Sequence, residues 1–416
     1  MNGPRTVLVH VGAPKTGTSY VQDVLFTHRH ALAAQGTLYP GDRFDAHFLA
    51  ALDLMELTWG GLEKQAVGAW DRLAEEVRSW SGTVIISHEI LATASRSQVR
   101  RALESFGSGV EVHIVLSARD LVRQIPAEWQ ENVKHRRVLG YRDFLDKVTD
   151  PRRKGQLASW FWGVQSVPEV LDRWGATLPP RQVHLVTVPR PGAPRDLLWQ
   201  RFASVLGLDP TAYAAPEVER ANPSLGVPET ALIRRLNERV NHGVLANEDY
   251  RRFVRELLAH RTLSARTGSP RLALPPDVHA WAVEVSETWV EVLRTRRYDV
   301  VGDLAELRPE PLGHAADAAA PADMAAFADP DVPDEAQLAD AAMETIVTLL
   351  EESARLAASE WQLREDLHAA QRALEETHTP WFRAKRKLVR AADHNPAAAA
   401  GLAVYRRLRG SSSRSA

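Results

Sequence analysis

A short segment near the N-terminus carries the residue types that bind a phosphate group. Residues 7–22 read V-L-V-H-V-G-A-P-K-T-G-T-S-Y-V-Q, an apolar strand followed by a glycine-rich turn and the start of a helix. Gly12 and Gly17 permit a tight turn and the close approach of an anion, and Thr18 and Ser19 add hydroxyls in the first helical turn. Backbone N–H groups and the helix dipole favour negative charge at such a terminus. The segment therefore predicts an anion site.

The lysine of this segment is displaced from its usual place in a nucleotide-binding loop. The loop of nucleoside triphosphatases reads G-x-x-x-x-G-K-[ST], whereas here Lys15 precedes the second glycine and Thr18 holds the lysine position. From inside the loop, Lys15 could reach the bridging oxygen of a bound group and stabilise charge on a departing phosphate. An ordinary strand–helix turn with a serine cap produces a similar pattern.

The segment G-A-P-K-T-G-T-S (12–19) resembles the 5′-phosphosulfate loop of sulfotransferases, whose usual form is P-K-[ST]-G-T-[TS]. The resemblance implies that the co-substrate is 3′-phosphoadenylyl sulfate (PAPS) and that no metal is required. It implies that Lys15 contacts the phosphosulfate and assists its departure. The remaining loop residues implied to bind the donor are Pro14, Thr16, Gly17, Thr18 and Ser19.

A second segment matches the family in part. The strand V-E-V-H-I-V-L-S (110–117) is followed by A-R-D-L-V-R-Q-I-P-A-E-W-Q-E. In sulfotransferases an arginine past this strand and a serine eight residues later hold the 3′-phosphate, and Arg119 matches that arginine. The position of the serine is occupied by Ala127, so one hydrogen bond of about 1.5–3 kcal/mol is missing. The alternative for Arg119 is a structural salt bridge at a strand end.

A third segment, S-H-E (87–89), ends the strand T-V-I-I-S and offers two acid–base groups. Several sulfotransferase groups place the base that deprotonates the acceptor here, a His in some and a Glu in others. Neighbouring strand residues point to opposite faces, so we expect only one of the two to face the donor. We favour Glu89 over His88 as the base; either could instead bond to a helix end.

Aromatic residues supply candidate acceptor contacts in two separate segments, F-D-A-H-F-L-A-A-L-D-L-M-E-L-T-W-G-G (44–61) and Q-L-A-S-W-F-W-G-V-Q (156–165). Aromatic rings suit stacking on sugars or on other rings, and they suit core packing equally well. The acceptor, whether glycan, lipid or small molecule, is left open.

These residues must be positioned by an α/β fold. Four Val/Ile/Leu-rich runs at 6–11, 83–87, 110–117 and 182–188 alternate with helical patterns, which predicts a P-loop-like parallel sheet flanked by helices. Residues 38–40 could add an edge strand. Beyond about residue 210 no further strand is predicted, and helices are expected at 228–241, 247–260 and 276–296. The family resemblance covers roughly residues 5–210.

The C-terminal third predicts a different organisation. We expect a sulfotransferase-like domain over 1–305, a disordered acidic Ala/Pro-rich linker over 306–335, an all-α extension with a long helix over 336–378, and a basic helical tail over 379–416. Leucines seven residues apart in the long helix could form a coiled coil and a homo-oligomer. The tail, with nine Lys/Arg after residue 380, could contact an anionic membrane surface, remain solvated or pair with the linker.

The composition of the chain disfavours several classes of function. A formal net charge of −2 disfavours binding to nucleic acid through bulk charge, and the absence of cysteine rules out disulfides and thiolate chemistry. No apolar run is long enough for a membrane span or a signal peptide. We therefore expect a soluble cytoplasmic protein.

Two other functions stay open beside a PAPS-dependent sulfotransferase. A P-loop kinase or nucleotide hydrolase would need a lysine after Gly17 and an acid to organise Mg²⁺, a place that Glu89 could take. Ala127 favours a non-catalytic nucleotide-binding scaffold, and the presence of Lys15 beside two acid–base groups is the best argument against it.

Overall fold

The structure is a computed structural model of the 416-residue chain. It describes residues 5–194, 196–213, 224–240, 243–310, 327–378 and 380–392, together with 395, 397, 399–401 and 403–404. The chain divides into two units, residues 1–345 and residues 346–416. The candidate site lies entirely in the first unit.

The first unit is built on a six-stranded parallel sheet with the order β2-β3-β1-β4-β5-β6. Thr6–His10 of the first strand pair in register with Thr83–Ser87 of the third. The strands are β1 (Arg5–Gly12), β2 (Thr37–Leu38), β3 (Thr83–Ser87), β4 (Val110–Ala118), β5 (Val183–Thr187) and β6 (Asp299–Val301).

Helices follow each strand of this sheet. The α-helices are α1 (Thr18–Thr27), α2 (Arg29–Ala34), α3 (Ala46–Met55), α4 (Glu63–Ala66), α5 (Ala69–Ser79), α6 (Arg96–Ser105), α7 (Leu121–Lys134), α8 (Tyr141–Thr149), α9 (Gln156–Gln165), α10 (Val167–Trp174), α11 (Leu197–Leu206), α12 (Val227–Val240), α13 (Asn247–Asp249), α14 (Pro276–Arg296), α15 (Glu335–His378) and α16 (Pro380–Ala392). Short 3-10 helices span Glu89–Thr93, Pro180–Gln182, Leu263–Ala265 and Leu304–Leu307, and a π-helix spans Tyr250–Thr262.

Both faces of the sheet are buried, which is why its strands read as unbroken apolar runs rather than as alternating ones. Val7 and Val9 pack into the larger apolar cluster on one face. Leu8, between them, packs into a second cluster with Trp199 and Phe202 of α11. Because alternate strand residues point to opposite faces, each strand contributes to both clusters.

The chain order reverses at β1. β2 and β3 lie on one side of this strand, and β4, β5 and β6 lie on the other. In open α/β sheets a ligand crevice forms at the carboxyl ends of the strands where the order reverses. The loop after β1 and the segment after β4 meet at this point, so the fold brings residues 13–17 next to Arg119.

The strands expected at 6–11, 83–87, 110–117 and 182–188 are confirmed, and so is an edge strand, β2, close to residues 38–40. The helices expected after residue 226 are present as α12, α14 and the segment 247–262, most of which is the π-helix. The expectation of no further strand after residue 210 was wrong. Three residues of β6 pair with β5 after α14 returns to the sheet edge, and so short a run has no periodicity to reveal it.

The linker expected over 306–335 lies partly outside the described residues, since 311–326 are not described. Its last part, residues 327–335, was expected to be disordered but instead packs against other segments of the first unit. The Asp331 carboxylate accepts hydrogen bonds from the backbone N–H groups of Tyr141 (2.8 Å) and Arg142 (2.9 Å), at the start of α8. Glu335 forms an ion pair with Arg235 at 2.7 Å. Specific partners for the acidic residues therefore order residues 327–335.

The second unit contains the rest of α15 and α16. Leu363, Leu367 and Leu374 are each more than half exposed on α15, and self-association through this helix stays a prediction. Residues 405–416 of the basic tail lie outside the described residues. No helix in the described part of the chain is long and apolar enough to cross a membrane.

Candidate functional site

The loop after β1 has the backbone conformation that an anion-binding turn requires. Gly17 has a φ of 87°, and a Cβ there would lie 2.5 Å from Leu198 Cδ2. Lys15 also has a positive φ of 63°. No side chain caps the start of α1 at Gly17, so the first N–H groups of that helix keep their capacity to bind an anion.

Buried hydroxyl and imidazole groups hold this loop from below. His10 Nδ1 lies 2.7 Å from Ser87 Oγ, and its Nε2 lies 3.4 Å from Ser117 Oγ. Thr16 Oγ1 in turn lies 2.5 Å from Ser117 Oγ and donates to Ala13 O at 2.6 Å. Burial lowers the pKa of His10 to about 4, so the ring is neutral at pH 7. This network ties the carboxyl ends of β1, β3 and β4 to the loop.

The sequence-predicted hydroxyls of the loop differ in their surroundings. The Thr16 side chain bonds to its own loop and to β4 and is 1% exposed, so only its backbone can face a ligand. Thr18 is 3% exposed at the start of α1, and Ser19 is exposed beside it. Ser19 is thus the hydroxyl of the three that solvent reaches.

Lys15 forms an ion pair with α7. Its Nζ donates to Glu131 Oε2 at 2.5 Å, and the two side chains are 25% and 15% exposed. The other oxygen of Glu131 lies 3.0 Å from His135 Nε2 and 3.0 Å from Arg255 Nη2 of the π-helix. The carboxylate that binds Lys15 therefore also has His135 and Arg255 as partners.

Glu131 stays ionised in this network. Burial raises its pKa, but the hydrogen bond from His135 and the charges of Lys15 and Arg255 outweigh burial and hold the pKa well below its ordinary value. Lys15 could leave Glu131 for a bound anion, because Arg255 would still compensate the carboxylate charge.

Arg119 has the features of an anion-binding arginine. Its Nε donates to Gln124 Oε1 at 2.6 Å and its Nη2 to Arg123 O at 3.1 Å, both neutral acceptors. Among the described residues no carboxylate forms an ion pair with Arg119, so the alternative of a structural salt bridge is not supported. Burial and the charge of Arg123 lower its pKa to about 10, which leaves it charged at pH 7.

Gln124 connects the two sequence motifs. Its Oε1 accepts from Arg119, and its Nε2 donates to Pro14 O at 2.7 Å. Gln165 of α9 donates to the same carbonyl at 3.4 Å. One side chain on α7 thereby fixes Arg119 relative to the loop that carries Lys15.

Glu128 lies on the same face of α7 and is 6% exposed. Burial raises its pKa to about 7, although the charge of Lys15 opposes the shift. Its Oε2 is buried without a hydrogen-bond partner. Ala127 beside it is partly buried and offers no hydroxyl.

The two candidate bases, Glu89 and His88, contact different parts of the protein. Glu89, the first residue of a 3-10 helix, accepts a hydrogen bond from Gln22 Nε2 of α1 at 2.9 Å. His88 stacks on Phe48 of α3, with ring centroids 5.0 Å apart, and its Nδ1 accepts from Ile90 N at 3.3 Å. A neutral imidazole that accepts at Nδ1 carries its hydrogen on Nε2, so the Nδ1 lone pair of His88 is already engaged by Ile90 N.

Glu89 keeps the properties of a proton acceptor. Burial raises its pKa, but the charge of His88 and the hydrogen bond from Gln22 more than offset it, so the pKa is lowered from its ordinary value. Burial lowers the pKa of His88, against the charge of Glu89. At pH 7 the pair therefore contains a carboxylate beside a neutral imidazole.

The two aromatic segments of the sequence meet in one partly exposed surface, which we name the aromatic wall (Phe48, Trp59 and Trp160). Trp59 lies 5.7 Å from Phe48 and 5.9 Å from Trp160, measured between ring centroids. His88 stacks on Phe48 at one end of the wall, and His135 lies 6.4 Å from Trp59, its central ring. His135 also bonds to Glu131, so the aromatic wall adjoins the ion pair between Lys15 and Glu131.

Sequence reasoning missed the polar residues of α7 that organise the site. Gln124, Glu128, Glu131 and His135 are spaced by four, three and four residues, which places them on one helix face. This spacing is visible in the sequence and could have indicated a polar face turned towards the loop. The sequence gives no comparable indication for Arg255, because its contact with Glu131 depends on where the fold places the π-helix.

Comparison of this chain with models of known protein families, with curated proteins and with solved structures finds no match. The geometry of the site therefore carries the functional conclusion.

Proposed function

We propose that this protein is a sulfotransferase that moves a sulfuryl group from PAPS to a hydroxyl or amine of an acceptor. The observation that carries the proposal is the convergence of two cationic groups at the point where the strand order reverses. Lys15 lies in a glycine loop with no side-chain cap at the start of α1. Arg119, whose hydrogen-bond acceptors among the described residues are the neutral Gln124 Oε1 and Arg123 O, is joined to that loop through Gln124.

This arrangement supports a donor with two phosphate groups. The uncapped N–H groups of α1 and the Ser19 hydroxyl would bind the 5′-phosphate. The planar fork of Arg119 suits the 3′-phosphate and partly compensates for the hydroxyl absent at Ala127. Gln124 would hold the two subsites at a fixed separation, because it bonds to both.

The transfer step assigns one role to Lys15 and one to a base. A bond forms between the acceptor oxygen and sulfur while the bond from sulfur to the phosphate oxygen breaks, and 3′,5′-ADP leaves. Lys15 releases Glu131 and stabilises the charge that develops on the leaving phosphate. Glu89 receives the acceptor proton, since it is ionised and His88 has its Nδ1 lone pair engaged.

The aromatic wall is the proposed acceptor surface. It is partly exposed, and it runs from His88 to the residue that bonds Glu131. Rings in this position can stack on an apolar face of an acceptor while its hydroxyl points towards Lys15.

Two measurements test the function. In a thermal-unfolding assay, 3′,5′-ADP should raise the melting temperature, whereas ATP with Mg²⁺ should not. With PAPS and a panel of glycans, lipids and phenols, mass spectrometry should detect acceptors that gain a sulfuryl group. Protection by ATP with Mg²⁺ alone would favour a kinase or hydrolase. Protection by 3′,5′-ADP without any transfer would favour a non-catalytic scaffold.

A further inference from the structure

We propose that Glu128, in its protonated form, donates a hydrogen bond to a phosphoryl oxygen of the donor nucleotide and so replaces the hydroxyl that Ala127 lacks. This inference rests on the proposed function, because it concerns the same donor site. It makes Glu128 a residue that couples donor binding to pH.

The position of Glu128 supports this role. It follows Ala127 directly on α7 and points to the face of that helix which contacts the loop through Gln124 and Glu131. Its carboxyl group lies close enough to Gln165 for that side chain to lower its pKa, and Gln165 itself donates to Pro14 O. Glu128 therefore lies against the Pro14–Lys15 turn.

Its unpartnered oxygen points to a missing ligand. A buried polar atom without a hydrogen bond costs free energy, so such atoms are uncommon in folded proteins. Oε2 of Glu128 is one of them, in a side chain that is 94% buried. A protonated carboxyl group has one O–H to donate, and a phosphoryl oxygen would satisfy it.

The charges around Glu128 explain why it can be protonated. Lys15 on the loop and Arg119 after β4 favour its ionised form, whereas Glu131 on its own helix disfavours it, and Gln165 on α9 is neutral. Burial exceeds the other effects and raises the pKa to about 7. A bound phosphate would raise that pKa further, because two negative charges repel. Donor binding above pH 7 should therefore take up one proton.

Donor binding should weaken as the pH rises. If the donor binds only the protonated form, its affinity falls about tenfold per pH unit once the pH exceeds the pKa of the free protein. A glutamine at this position donates through its amide at every pH, so Glu128→Gln should bind without this loss. Titration of the ligand's own phosphates affects both proteins equally and cancels in their ratio.

The test is calorimetric titration of the full chain with 3′,5′-ADP between pH 6 and pH 9. We expect the dissociation constant of the parent, divided by that of Glu128→Gln, to rise at least tenfold from pH 6.5 to pH 8.5. Measured in buffers of different ionisation enthalpy at pH 8, the parent should take up close to one proton and Glu128→Gln none. Glu128→Ala should bind about tenfold or more weakly at pH 6, since it lacks the donor.

Glu104→Gln serves as the matched control, because Glu104 is exposed on α6. It should behave as the parent at every pH, and circular dichroism should show that all variants are folded. A ratio that does not change with pH would overturn the proposal and leave the proposed function intact. So would a Glu128→Gln protein whose affinity follows that of the parent at every pH but which has lost turnover, since Glu128 would then act as the base. Folded proteins that fail to bind 3′,5′-ADP at any pH would overturn both.

Discussion

The ion pair between Lys15 and Glu131 predicts that Glu131→Gln binds 3′,5′-ADP more tightly than the parent protein. In the parent, Lys15 must leave the Glu131 carboxylate before it can reach a bound phosphate. The substitution removes that competition, and it also removes a negative charge from the neighbourhood of an anionic ligand. Both effects act in the same direction.

The magnitude follows from the geometry of the pair. A charge-assisted hydrogen bond at 2.5 Å between side chains that are 25% and 15% exposed is worth about 1.5–3 kcal/mol. Glutamine keeps a neutral acceptor for Lys15, so we expect about half of that free energy to appear as affinity. A gain of about 0.75–1.5 kcal/mol corresponds to binding that is roughly 4–12-fold tighter.

The same substitution should destabilise the protein without ligand. Arg255 and His135 lose the carboxylate that they share with Lys15, and we expect the free energy of unfolding to fall by about 1–3 kcal/mol. Glu75→Gln is the matched control, since Glu75 pairs with Arg78 on the surface of α5 and is 72% exposed. It should change neither quantity by more than about 0.5 kcal/mol.

Isothermal titration with 3′,5′-ADP and urea denaturation monitored by tryptophan fluorescence measure the two effects. The reasoning fails if Glu131→Gln binds the nucleotide equally well or more weakly while Glu75→Gln behaves as the parent. Lys15 would then not move between Glu131 and the ligand.

Four further substitutions test the assigned roles. Lys15→Ala should lower sulfuryl transfer by about 100-fold or more, and near-normal turnover in a PAPS assay would contradict its role. Glu89→Gln should abolish most of the sulfuryl transfer, whereas His88→Ala should retain most of it; turnover like the parent's in both variants would place the base elsewhere. Trp59→Ala should raise the KM for the acceptor severalfold and leave 3′,5′-ADP affinity unchanged, so a parallel loss of nucleotide affinity would argue against the aromatic wall as the acceptor surface.

Several features of the sheet could be predicted from local pattern alone. The runs at 6–11, 83–87 and 110–117 are apolar on both faces, and only a strand covered on two sides requires that. β6 could not be predicted in this way. Asp299–Val301 is a strand because β5 offers an open edge to it, and an open edge is a property of the assembled sheet.

Residues 327–335 show the limit of composition as a guide. An acidic Ala/Pro-rich stretch has too little apolar surface to order itself, and its composition therefore predicts disorder. Asp331 nevertheless bonds to the start of α8, and Glu335 forms an ion pair with Arg235. The partners of Asp331 are 189 and 190 residues away in sequence and the partner of Glu335 is 100 residues away, so the order of this segment depends on non-local contacts.

The sequence by itself determined the loop chemistry, because Gly12, Gly17 and Lys15 act through conformations and groups that lie within eight residues of one another. It also determined that Arg119 follows a buried strand. Only the tertiary structure decided what these groups contact: Lys15 meets Glu131, Gln124 joins Arg119 to Pro14, and Glu128 keeps an unpaired oxygen beside them. Contacts, burial and proton affinity arise from chain segments that the fold brings together across a hundred residues or more, and no local pattern encodes them.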